Sequence, residues 1–437
     1  MMAHYDDETL ITLLDAADDP HIAECAECRA SLEEYRVVTS SLAEDATWDL
    51  RVLNEEPVAQ TIANLQSYAS MMRAEDEAAV PLVAELLAGP REEWMPRLLS
   101  DDKYRTAGVV RKLMEESDRA IDVMPPDALE ISALATEIAD KLDPAQYPSD
   151  TVMKLRGNAW RDRGYCLYRC SQFGESATTL DLAERLLTWT AVADYDLARL
   201  GIARAVVERS FENFPKAISA AASSCAVFKA HGDTNKMASA LLAAAQAKWK
   251  SGRSQEALDV LLRLNALQTI DDDTRMRLFV TVAVLYRDMG DTERSLEYFT
   301  QARFANDEIG NCNELVIQWS IAILLVRVGA VDKAEAILLQ ISEQFETHRM
   351  FSEAAQVGLN LAEIYADRGR YHAVEMLCKK AIDFYSRAGL PATERLLNAL
   401  TYLAKSAQQK QATSATVRQV SRYLSNEIAV LDSPSAS

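Results

Sequence analysis

Along most of the chain apolar residues return every three or four positions, the spacing that lets an α-helix bury one face. VPLVAELLAG (80–89), MPRLLSD (95–101) and AGVVRKLMEES (107–117) each carry it and predict short helices between residues 60 and 150. In VMPPDALEISALATEIADKL (123–142) prolines stand just before the apolar run, which predicts a helix starting near Asp127. The longest apolar stretch, Leu315 to Val326, is interrupted by Gln318 and Ser320 and is shorter than the about 20 residues of a membrane span, so it predicts a buried helix. Near the end, SAQQKQATSAT (406–416) is a polar break, VRQVSRYLSNEIAVL (417–431) a last amphipathic helix and SPSAS (433–437) a disordered tail.

From about residue 150 the pattern repeats with a period near 40. Turns fall at Gln172, Glu212, Gly252, Gly290, Gly329 and Gly369, spaced 40, 40, 38, 39 and 40. Five residues after each stand Ala177, Ala217, Ala257, Ser295, Ala334 and Val374, mostly small, so the second helix of a pair can approach the first closely. AVLYRDMGDTERSLEYF (283–299) and AEIYADRGRYHAVEMLCKKAI (362–382) carry Tyr, Gly and a small residue in register. This resembles the tetratricopeptide repeat over residues 150–390, with a period longer than the usual 34. The resemblance implies an all-α fold, an α-solenoid of antiparallel helix pairs.

Composition agrees with a helical array: Gly (14) and Pro (12) are too few for the turns of an all-β chain of 437 residues. The formal charge of -20 disfavours direct binding to nucleic acid or an anionic membrane and leaves protein partners open. The N-terminus, MMAHYDDETL, lacks the features of a secretory signal. The seven cysteines are an odd number scattered along helical patterns, which predicts free thiols in a reducing compartment, the cytoplasm.

The chemistry concentrates in HIAECAEC (21–28). Read as helical, it sets His21 and Cys25 one turn apart, and the short gap to Cys28 lets three donors converge on one metal ion. Structural Zn²⁺ takes four ligands, and His4 is the best fourth, ahead of water, Asp6 or a partner's thiolate. DDETLITLLD (6–15) predicts a short helix capped by Asp6 or Asp7 that can fold back on the segment bearing the other ligands. The order His4, a helix ending in LLD, His21-x3-Cys25-x2-Cys28 and RASLEEYR resembles the zinc-binding anti-sigma factor family over about 35 residues. That resemblance implies His4, His21, Cys25 and Cys28 as zinc ligands. It implies as partner a sigma factor of the extracytoplasmic-function type, blocked from RNA polymerase. Residues 1–40 hold ten acidic and two basic residues, a balance that suits a basic partner surface.

Placed on the repeat, the residue three before each turn should face the concave groove: Arg169, Arg209, Trp249, Arg287, Val326 and Ala366. The arginines, with Trp249 and Trp319, suit an acidic or carboxylate-bearing peptide, although arginines so placed often pair with nearby carboxylates instead. No catalytic constellation, phosphate-cradling loop or nucleophile motif stands out, so the chain reads as a binding protein and not an enzyme. His231, His348 and His372 read as solvated surface imidazoles, and Cys166 and Cys170, one turn apart, as packing thiols.

The expected organisation is a zinc-binding anti-sigma-like domain (1–40), a linker (41–60), degenerate helical pairs (61–150), tetratricopeptide-like repeats (151–405), then the polar break, last helix and tail (406–437). The expected function is sigma-factor inhibition by the first domain, with the repeats as a protein-interaction platform. The alternative is a scaffold in which the zinc domain is structural only.

Overall fold

First helices mostly of 17 residues and three-residue turns within most pairs set the period near 40, and where a second helix is shorter the link after it is longer. The computed structural model describes residues 4–14, 19–43, 55–190, 193–266, 269–305 and 311–424, so the expected tail and the last helix beyond 424 lie outside the described residues. Among the described residues there is no strand. The chain divides into two units, Met1–Met72 and Arg73–Ser437.

The first unit holds α1 (Asp7–Thr12), α2 (Pro20–Glu24), α3 (Ala26–Ala43) and the start of α4 (Glu55–Leu87). Helix α4 begins inside the segment expected as a linker. Among its described residues the core is small: Leu10, Cys28 and Leu32 are buried, with Tyr5, Ile22 and Tyr35 half-buried around them. So few buried side chains cannot offset the entropy of ordering the segment, and a metal ion is the usual remedy.

The second unit contains the rest of α4, α5 (Arg91–Ser100), a 3₁₀ turn at Asp102–Tyr104, and the pair α6 (Ala107–Ala120) and α7 (Pro125–Ala139). Prolines fill the first turn of α7, two residues ahead of the expected start, because that turn needs no amide donors. Seven helix pairs follow. The first three are α8 (Ser149–Arg169) with α9 (Phe173–Thr188), α10 (Asp194–Ser210) with α11 (Phe214–Ala230), and α12 (Thr234–Lys250) with α13 (Ser254–Asn265). The last four are α14 (Asp272–Asp288) with α15 (Thr292–Ala305), α16 (Asn311–Arg327) with α17 (Val331–Thr347), α18 (Phe351–Asp367) with α19 (Tyr371–Arg387), and α20 (Thr393–Gln408) with α21 (Ser414–Leu424).

Most turns close in the same way. One residue takes a positive φ, and the amide after it bonds a carbonyl five residues back, as Arg370 does to Tyr365 (2.8 Å) and Ala330 to Leu325 (2.9 Å). Glycine fills that position at 252, 290, 329 and 369, and Glu212 does so at φ 63°. In the first pair the residue is Ser171 (φ 59°), one position before the expected Gln172. The small position of that pair is therefore Ser176, not Ala177. Ser176 is buried and its hydroxyl donates to the Gly164 carbonyl (2.6 Å), as the buried Ser295 donates to Ala283 (2.9 Å).

The array curls until its first two pairs meet its last two. The Ser352 amide donates to the Ser171 hydroxyl (3.1 Å), the Gly174 amide to the Ala388 carbonyl (3.3 Å), and Arg395 pairs with Glu212. Between the ends, the Cys312 amide at the start of α16 donates to the Asp122 carbonyl after α6 (3.0 Å). No described helix is long and apolar enough to cross a membrane.

Candidate functional site

Two places gather chemistry, one in each unit. In the first, Asp6 caps α1 by accepting from the Thr9 amide (2.9 Å), which sets His4 just ahead of that helix. Asp19 caps α2 through the His21 and Ile22 amides. A single helix through His21 and Cys25 is not what forms: Cys25 is extended (φ -94°, ψ 107°), and the chain restarts as α3 at Ala26. That break gathers Cys25, Cys28 and His4, whose donor atoms all lie within 4.8 Å of one another. It also leaves His21 beside Cys28.

The distances suit a tetrahedral ion. With Zn–S near 2.3 Å and Zn–N near 2.05 Å, an N···S edge of the tetrahedron is about 3.6 Å. The His4 Nδ1 atom lies 3.4 Å from Cys25 Sγ and 3.6 Å from Cys28 Sγ, and His21 Nε2 lies 3.4 Å from Cys28 Sγ. The outer shell fits as well. The far nitrogen of His4, Nε2, meets the Glu27 carboxylate at 3.3 Å, the arrangement that orients metal-bound imidazoles. The Tyr5 amide donates to Cys28 Sγ (3.4 Å). A hydrogen bond from the Cys28 amide holds the Cys25 thiol below the usual thiol range. His4, Cys25 and Cys28 can thus hold a metal ion, and His21, packed on the Tyr5 ring at 4.3 Å, stands next to them.

The second place is the interior of the repeat array, a cavity of about 510 Å³ faced by the first helix of every pair, α20 through Leu396, and by the end of α21. Arg209, Trp249, Arg287 and Trp319 line it; Arg169 does not. Arg169 turns to Asp122 (3.0 Å), because the turn residue is Ser171 and the position three before it belongs to Tyr168. Tyr168 lines the cavity. Val326 and Ala366, expected in the groove, pack into the core between neighbouring pairs.

The lining side chains also join one pair to the next. Arg209 donates to the Tyr168 hydroxyl (3.0 Å) and to Gln246, whose amide reaches Thr281 (3.3 Å). Arg287 donates to the Ser320 hydroxyl (2.9 Å) and pairs with Asp288 (2.8 Å), and Trp319 donates to Asn360 (2.7 Å). Arg287 therefore has its carboxylate, whereas the hydrogen-bond partners of Arg209 are neutral. Glu353 also lines the cavity. Burial raises its carboxyl above the usual range, with Arg169 and Arg209 opposing the shift. Gln246, Asn360 and Glu353 carried no sequence signal beyond lying on first helices.

Elsewhere the expected roles divide. His231 and His372 are exposed, but His348 is buried, its Nδ1 against the Gln344 carbonyl at 2.6 Å. Cys166 and Cys170 pack in a core with Ile121 and Leu167, and all seven cysteines are free.

Among solved structures, the chain is similar to a Rap protein complexed with competence and sporulation factor: 13% identity over 75% of this chain and 90% of that one, TM-score 0.50. It also matches the apo form of the quorum sensor NprR from B. thuringiensis (13% identity, 78% and 99% covered, TM-score 0.44). A third match is aspartyl phosphate phosphatase F from Bacillus subtilis (12%, 89% and 98%, TM-score 0.46). No protein-family model matches the chain, and no curated protein is significantly similar to it in sequence. At such identity the likeness to the Rap protein is one of fold alone, an all-α solenoid of helical repeats.

Proposed function

We propose that the chain is a regulatory binding protein whose repeat array takes a carboxylate-bearing peptide segment into its interior. The observation that carries this reading is Arg209, a cation on the cavity wall whose hydrogen-bond partners are neutral, with Trp249 and Trp319 on the same wall. A guanidinium so placed gains a charge-assisted bond from an incoming carboxylate, and the indoles supply apolar anchors. The Rap protein of similar fold is likewise complexed with a factor. Titrating the protein with C-terminally amidated pools of acidic and of basic hexapeptides tests the reading by tryptophan fluorescence. The acidic pool should bind, and Arg209→Ala should weaken it at least tenfold. Equal response to the basic pool would exclude carboxylate recognition.

A second reading concerns the first unit: a zinc-held clasp for a sigma factor of the extracytoplasmic-function type. The donor set of His4, Cys25 and Cys28, with His21 beside it, favours this reading, as does the acidic excess of residues 1–40. Co-expression with such a factor should give a complex that co-elutes and falls apart on zinc chelation. Persistence of the complex in Cys25→Ser would assign the partner to the repeats, leaving the zinc domain structural only.

A further inference from the structure

A second cavity, about 350 Å³, lies where the array closes on itself, and none of the residues lining it lines the interior. One wall is the turn of the first pair, Cys170 to Gln172; the other comprises α17, α18 and α19. Helix α18 is the partition. Phe351, Ala354, Ala355 and Gly358 face this cavity, while Glu353, Gln356 and Asn360 face the interior.

The lining is apolar where it is deep. The Phe351 and Phe384 rings lie 6.1 Å apart, and the floor is built of alanines and Gly358. Above Gly358 the space is open: a Cβ there would meet only Leu377 within 4 Å, at 3.6 Å. The charges at the rim already answer one another, Lys380 with Glu346 and Arg387 with Asp383, so a charged ligand would have to displace a native partner. Neutral polar side chains join the lining at Ser171, Gln172 and Ser342. The Ser171 hydroxyl accepts from the Ser352 amide and keeps its own proton to donate.

We propose that this closure cavity binds a small uncharged molecule with an apolar body and one hydrogen-bond acceptor. The volume falls within the range of ligand sites, about 300–1,000 Å³. Apolar walls with a few polar groups are the usual make-up of such sites. The occupant touches the first pair on one side and the fifth and sixth on the other, so it bridges the closure.

The probe is prodan, a neutral naphthalene ketone whose emission shifts to the blue in apolar surroundings. Added to the full-length protein, it should bind saturably at one site per chain. Gly358→Leu and Ala355→Leu, which fill the cavity, should each lower its affinity at least tenfold with unchanged helical circular dichroism. Gly358→Ala adds a methyl at ordinary contact distance from Leu377, keeps the fold, and should lower affinity a few-fold. Absence of saturable binding to the parent protein overturns the proposal. So does unchanged affinity in both leucine variants, or binding that survives them and is lost in Trp249→Ala, which would put the probe in the interior.

Discussion

Glu212 and Arg395 lie 183 positions apart in sequence and form an ion pair. Glu212 is itself a turn residue with a positive φ, so the same position that reverses the chain between α10 and α11 also reaches across to α20. Beside this pair the backbones touch: the Gly389 Cα approaches Gly174 so closely that a Cβ on Gly389 would sit 2.9 Å from the Gly174 Cα. Partly exposed ion pairs contribute at most about 1 kcal/mol. Backbone fit therefore governs the closure more than charge does.

Two glycines separate backbone conformation from close approach. Gly232 (φ 71°) has nothing within 4 Å of an added Cβ, so Gly232→Ala should cost about 1 kcal/mol for the left-handed conformation alone. Gly389→Ala (φ 67°) adds the clash with Gly174 and should cost roughly 3 kcal/mol. Urea unfolding of the two variants measures the difference, and small-angle scattering should find only the Gly389 variant expanded. Equal costs would mean that the closure yields without strain.

The repeat was legible because each turn needs a residue that tolerates positive φ, and glycine at 252, 290, 329 and 369 announces it. Ser171 meets the same need without glycine, so the first unit reads one residue late and Arg169 is mistaken for Tyr168 as a groove residue. The approach of Cys25 and Cys28 was legible from their spacing, but the break at Cys25 was not, because alanine and glutamate on either side favour helix. The closure left no trace in local pattern. It joins residues some 180 to 215 positions apart through the Ser171 hydroxyl, backbone atoms and two glycines, which no periodicity marks.

The first unit should depend on metal. Among the described residues of the first unit only Leu10, Leu32 and the donor Cys28 are buried, a core too small to fold unaided, so chelation of zinc, or Cys25→Ser, should unfold residues 4–43 and leave the helices of the array intact. Limited proteolysis followed by mass spectrometry reads both parts at once. His4→Ala should remove a ligand backed by Glu27, and His21→Ala should lower zinc affinity at least tenfold if His21 completes the tetrahedron. Unaltered affinity in His21→Ala would leave water as the fourth ligand.

Thiol reactivity should divide the cysteines by burial. Desolvation pushes the thiols of Cys166, Cys170 and Cys378 up to about 12 and that of Cys312 up to about 11, so at pH 8 the reactive thiolate is scarce and shielded. Iodoacetamide at that pH should modify Cys25 and Cys28 once zinc is chelated, while these four stay unmodified until denaturant is added. Peptide mapping counts them. Rapid labelling of Cys378 in the folded protein would reveal that the last pairs open on the labelling time scale.

Glu353 gives the array a pH dependence of definite sign. Its carboxyl is raised above the usual 4.5 by burial, against the pull of Arg169 and Arg209, so the folded state holds its proton more tightly than the unfolded chain does. From about pH 4.5 upward the folded protein then binds more protons than the unfolded one, and stability falls as pH rises through the folded value. Glu353→Gln keeps the shape and removes the proton. The variant should unfold at higher urea than the parent at pH 7, and its advantage should shrink as pH falls toward 4.5. Urea midpoints at half-unit pH intervals test this. A constant difference across the window would mean that Glu353 ionises as freely in the folded array as in the open chain.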